Sequence, residues 1–119
     1  MKLGIIGAME VEVAALKEHM ENKKEAEIAG SVYCEGTLEQ LNVVVVQCGV
    51  GKVNAAICVQ ILCDCYHVTH IVNTGVAGSL CVKLDIGDFV VSTDAIHHDM
   101  DVTALGYTVG QVHLRKFLP

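Results

Sequence analysis

Short, almost wholly apolar runs alternate along this chain with longer segments whose apolar residues recur every three or four positions. Residues 2–7 read as a buried strand. Residues 10–22 predict a helix: Val13, Leu16 and Met20 share one face, and Glu10, Lys17, Glu18 and Glu21 lie mostly elsewhere. Residues 22–30 are charged and turn-like. Residues 32–38 and 41–48 predict two strands joined as a hairpin at Glu39-Gln40. The run Val43 to Val46 is continuously apolar, as expected of a strand covered on both faces. Gly49-Val50-Gly51-Lys52 turns the chain into a helix over 53–65. Residues 70–73 predict another buried strand, which runs into a glycine-containing loop over 75–80. Asp85-Ile86-Gly87-Asp88 predicts a turn before a strand over 89–95, and 102–109 predict a further strand or an irregular excursion. The order β-α-β-β-α-β-β predicts an α/β fold with a mixed central sheet flanked by helices.

Two strand-to-loop junctions stand out, Gly4-Ile5-Ile6-Gly7-Ala8-Met9-Glu10 with Glu12, and Ile71-Val72-Asn73-Thr74-Gly75-Val76-Ala77-Gly78. Open α/β sheets bind small ligands in the crevice outside the carboxyl ends of such strands. Two junctions in one short chain predict one ligand site with two walls. The length of 119 residues predicts a single domain over 1–119. No helical segment follows the strand at 89–95 to cover that end of the sheet, so the domain reads as incomplete.

The formal net charge of −6 argues against a nucleic-acid partner, which would require a basic face, and against an anionic membrane. Polar residues such as Asn42, Gln47, Lys52, Asn54 and Gln60 interrupt the apolar stretches, so none reaches the ~18 residues of a membrane-spanning helix. The N-terminus does not read as a signal peptide, and a cytoplasmic location is the expectation. Cysteines 34, 48, 58, 63, 65 and 81 form no CxxC pair and read as buried free thiols of a reducing compartment.

Each candidate site has a plain structural alternative. A carboxylate at Glu12, in the first turn of a helix, complements the helix dipole. It also lies at the edge of the apolar stripe, just past a strand end, where a carboxylate can act as general base on a water. Glu10 competes for that role, although its helical angle points further from the stripe. Gly75-Val76-Ala77-Gly78 offers successive backbone N–H groups to a ribose or an anion; the alternative is a tight turn that needs glycine at positive φ. Gly49-Val50-Gly51-Lys52 fails as a phosphate-binding Walker loop, because Val46 and Val53 stand where glycine and Ser/Thr are required. Cys63, Cys65, His67 and His70 do not follow a common zinc frame, and His97, His98 and Asp99 read as polar loop residues. Arg115 is the only arginine, so the segment is poorly equipped to hold free phosphate as a reactant.

At these residues the chain resembles the N-terminal half of the bacterial 5′-methylthioadenosine/S-adenosylhomocysteine nucleosidases, within the nucleoside phosphorylase superfamily. The resemblance runs from Met1 to about Gln111. It rests on the first junction with Glu12, on Gly49-Val50-Gly51-Lys52-Val53, on Asn73-Thr74-Gly75 with Ala77-Gly78, and on Gly87-Asp88. It continues through His98-Asp99-Met100-Asp101-Val102-Thr103-Ala104, Gly106-Tyr107 and Gly110-Gln111.

The resemblance implies a three-layer α/β/α fold, a homodimer, no cofactor, and hydrolysis of the N-glycosidic bond of the two thionucleosides with release of adenine. By the match, Glu12 activates the attacking water and Ala8 and Met9 line the ribose side. Val50 packs near the 5′-thioalkyl group, and Val76, Ala77 and Gly78 form the loop beside the sugar. Val102 and Leu105 reach into the partner subunit's site. Members often carry serine where Val76 stands and an aromatic residue where Leu105 stands. The family's second half, with its adenine pocket and acid, is outside these 119 residues, so the chain by itself is expected to be inactive. The alternatives are a nucleoside phosphorylase and a truncated product without catalysis.

Overall fold

The computed structural model describes residues 1–111. Two compact units succeed one another, one over Met1–Gly78 and one from Ser79 onward. The first contains the sheet. Its elements are β1 (Lys2–Gly7), α1 (Glu10–His19), β2 (Glu21–Ile28), β3 (Ser31–Leu38), β4 (Leu41–Gln47), α2 (Lys52–Tyr66) and β5 (His70–Asn73). The five strands lie in the order β2-β3-β4-β1-β5. β1 runs parallel to both β4 and β5, and β2, β3 and β4 form an antiparallel meander. The sheet is therefore mixed, as the strand order predicts.

The two faces of β1 and β4 divide the core by the period of two of extended chain. Ile6, Val44 and Val46 pack with Tyr33 against Cys58 and Leu62 of α2. Ile5, Val43 and Val45 pack with Cys34 against Val13 of α1 and against Met20. Val44, Val45 and Val46 have no exposed surface, which is why this stretch reads as an unbroken apolar run. Helix, sheet and helix make three layers, with β4 and β1 at the centre.

Besides β5, predicted as buried but exposed at all four residues, four features differ from the sequence reading. The charged stretch 22–30 is not a turn: Glu21–Ile28 is an edge strand paired with β3. Its residues are nearly all exposed, so nothing in the sequence imposes an apolar alternation on them. α1 stops at His19, short of residue 22, because Met20 leaves the helix in extended conformation (φ −71°, ψ 144°) to enter the core. The element order is thus β-α-β-β-β-α-β. Third, no strand forms over 89–95; Phe89 and Val91 are almost fully exposed, and β-propensity without a partner strand makes no ladder. Lastly, Cys63, Cys65 and Cys81 are exposed, and only Cys34, Cys48 and Cys58 are buried.

The predicted hairpin at Glu39-Gln40 is present, with both residues left-handed (φ 48° and 67°) as a two-residue primed turn requires. Among its described residues the second unit is built from turns and one 3₁₀ turn, Thr103–Leu105, so 102–109 is the irregular excursion rather than a strand. The Gly110 amide donates to the Met100 carbonyl and the His97 amide to the Gly110 carbonyl. Among the described residues, no helix is long and apolar enough to cross a membrane.

Candidate active site

Three parallel strands, β4, β1 and β5, end at the same edge of the sheet. Their loops are tied there by backbone bonds: the Cys48 amide donates to the Gly7 carbonyl (2.9 Å) and the Thr74 amide to the Ile6 carbonyl (2.9 Å). α1 begins immediately after β1, with Met9 as its N-cap. Methionine has no side-chain oxygen to cap the first turn. Glu12, the third helical residue, instead reaches back to the amide of Met9 itself.

Glu12 uses its two oxygens differently. Oε2 accepts the Met9 amide at 3.0 Å, a local cap. Oε1 accepts the amide of Val76 at 3.2 Å, from the loop that follows β5. The carboxylate therefore satisfies the helix-end reading and also joins the two strand ends. The Met9 amide first and then that of Val76 hold its carboxyl below the ordinary value of 4.5 against an opposing effect of burial, with a lesser contribution from the Ala8 amide. Glu12 is ionised at neutral pH. Glu10, its competitor, instead pairs with Lys17 (Nζ to Oε2, 3.1 Å).

Glycines make the room. A β-carbon at Gly75 would lie 2.8 Å from Glu12 Oε1 and 3.1 Å from its Cδ. A β-carbon at Gly7 would lie 2.7 Å from Val13 Cγ1 and 3.2 Å from Glu12 Cβ. Neither glycine has positive φ. The turn explanation for Gly75 therefore gives way to a packing one.

The remaining residues named from the sequence separate into four places. Ala8 and Met9 lie between β1 and α1, beside Glu12. Val76, Ala77 and Gly78 follow β5, with Val76 exposed apart from its amide bond. Val50 is exposed in the Gly49–Lys52 turn after β4, where the Asn54 side chain donates to its carbonyl at 2.8 Å. Val102 and Leu105 belong to the second unit; the Leu105 amide donates to the Val102 carbonyl, and the Leu105 side chain is exposed. A cavity of about 470 Å³ opens on the β3–β4 side, lined by Lys17, Ser31, Gln47, Cys48 and Asn54 among others. It does not include Glu12. The carboxylate and the amides that orient it lie at the strand ends instead. His97 and His98 both bring Nδ1 to about 4 Å from Asp99 Oδ1, although a strand would have sent them to opposite faces. Gly75 and the Val76 amide are what sequence reasoning missed as partners of Glu12; a glycine at a strand end facing a first-turn carboxylate was the available signal.

The pattern of the Phosphorylase superfamily matches residues 2–119. The chain belongs to that superfamily. A 5′-methylthioadenosine/S-adenosylhomocysteine nucleosidase from Colwellia psychrerythraea is 50% identical over 112 residues, which cover 94% of this chain and 46% of the relative. A solved nucleosidase from that organism, in complex with adenine, superposes with a TM-score of 0.92 at 50% identity, over 95% of this chain and 47% of the other. The S. pneumoniae nucleosidase with the transition-state inhibitor MT-ImmA gives 0.92 at 42% identity, over 95% and 49%. This superfamily member spans about half the length of the curated relatives it matches.

Proposed function

We propose that residues 1–119 form the N-terminal, water-activating half of an N-glycosyl hydrolase that cleaves 5′-methylthioadenosine and S-adenosylhomocysteine and releases adenine. The observation that carries this reading is the Glu12 carboxylate, ionised and held by N–H groups from two strand ends. The names of the relatives, and the adenine and inhibitor bound to two solved neighbours, supply the substrate class. Cleavage of such a bond passes through an oxocarbenium-like state. A fixed carboxylate helps by orienting water and by stabilising the positive sugar. Ala8 and Met9 serve the ribose side, Val50 the 5′-thioalkyl group, and Val76, Ala77 and Gly78 the sugar loop. Val102 and Leu105 extend to the partner's site in a cytoplasmic homodimer, and no cofactor takes part.

A phosphorylase is the second reading, favoured by the superfamily's own name. An anionic carboxylate in the nucleophile's position repels phosphate, and Arg115 is the only arginine. Adenine release without phosphate decides for hydrolysis. In a polypeptide of the relatives' length that carries these residues, Glu12→Gln lowers turnover about 10²-fold or more while substrate still binds, and Glu10→Gln does not. Near-normal turnover in Glu12→Gln sinks the assignment. A polypeptide limited to residues 1–119 sits at background in the same assay, because assistance to the leaving base is worth about 10²–10⁴-fold and Glu12 addresses only the nucleophile.

A further inference from the structure

We propose that Gly75 is a positioning residue for Glu12: the absence of a β-carbon at this strand end leaves the space that the carboxylate occupies while it bonds to both loops. The catalytic consequence rests on the reading of Glu12 given above; the geometric part does not. Three observations support it. The three heavy atoms nearest to a β-carbon built at Gly75 are Oε1, Cδ and Oε2 of Glu12, at 2.8, 3.1 and 3.4 Å. No other group is as close, so the restriction comes from the carboxylate itself. The backbone of Gly75 is not left-handed, so an L-residue fits there in conformation and fails only in space. The amide that grips Oε1 belongs to the next residue, Val76. A side chain at 75 therefore displaces Oε1 from the one donor that links Glu12 to β5. Gly7 forms the opposite wall, but a β-carbon there meets Val13 first, a fully buried core residue. Substitution at Gly7 disturbs the core as well, whereas Gly75 isolates the carboxylate.

The consequence is specific. With alanine at 75 the carboxylate rotates off the Val76 amide and keeps its bond to Met9. Its carboxyl then titrates closer to the ordinary glutamate value, and a water bound to it shifts with it. Misplacement of a catalytic group by about 1 Å can cost 10²-fold in rate.

The test has two arms. In the polypeptide of the relatives' length that carries these residues, carbon-detected NMR follows the Glu12 side-chain carboxyl through pH in the parent and in Gly75→Ala. The expected result is a raised Glu12 midpoint and loss of the Val76 amide's response to that titration, with the Met9 amide still responding. An unchanged midpoint overturns the proposal. In the longer polypeptide, kcat for adenine release is measured for Gly75→Ala in the Glu12 and Glu12→Asp backgrounds. The shorter aspartate withdraws from the new methyl group. Alanine should therefore lower kcat at least 10-fold with glutamate and less than about 3-fold with aspartate, with KM changed little in both. An equal loss in the two backgrounds means a merely structural role and overturns the positioning. If Gly75→Ala does not fold, Glu12→Ala/Gly75→Ala should, because the group it strikes is gone; a double variant that also fails to fold counts against the proposal. Should Glu12→Gln retain turnover, the function is lost, and the NMR arm still decides the geometry.

Discussion

Glu12 ties the helix cap and the β5 loop together through a single carboxylate. Its folded pKa lies below that of the unfolded chain, held down by the Met9 and Val76 amides. The sign follows: this stabilisation is fully present above the ordinary value of 4.5 and is lost as pH falls through the lower folded value. The difference in urea midpoint between the parent chain and Glu12→Gln should be constant above about pH 6 and shrink towards zero on acidification below 4.5. A difference that grows in acid would mean that the two amides do not favour the ionised form. Of this arrangement the sequence displayed Glu12 itself and the glycines. It did not display the bond between Glu12 and the β5 loop, because residues 12 and 76 meet only through the pairing of β1 with β5.

Among the elements, those with an apolar pattern were legible, β5 included although all four of its residues are exposed, and the charged one was not. β1, β4 and α2 carry apolar patterns because each covers the other; Val44 and Leu62 are both fully buried. β2, Glu-Asn-Lys-Lys-Glu-Ala-Glu-Ile, has no buried residue and follows only the hydrogen bonds of β3, which leave no mark in composition. Its charges blunt the sheet edge against further pairing. The predicted strand over 89–95 failed for the converse reason: it has apolar residues without a paired neighbour. Leu62, with Cys58, is an interior contact of α2 with β1 and β4. Leu62→Ala should lower unfolding free energy by roughly 2–5 kcal/mol, as read from chemical denaturation. A change below about 1 kcal/mol would show that α2 is not anchored through this residue.

For the molecule as a whole, unburied apolar surface is the dominant fact. Leu80, Val82, Ile86, Phe89 and Val91 are almost completely exposed in the second unit, and isolated chains rarely tolerate such surface. The 119-residue chain should therefore self-associate at micromolar concentration, and Phe89→Lys with Val91→Lys should reduce the association. Light scattering that gives a well-behaved monomer for the parent chain would contradict this.

The mixed sheet also implies an order of assembly. β2, β3 and β4 are joined by short turns at Ala29-Gly30 and Glu39-Gln40, so their pairing closes only small loops. β1 must find β4 across the whole meander, and β5 must find β1 across nearly the entire unit. Distant pairings carry the larger closure entropy and form more slowly. The strand ends that hold Glu12 are thus brought together by the most distant pairings of the sheet in sequence. The antiparallel half closes through local contacts alone, so the junction of Glu12 with the β5 loop depends on the longest-range pairing of the unit.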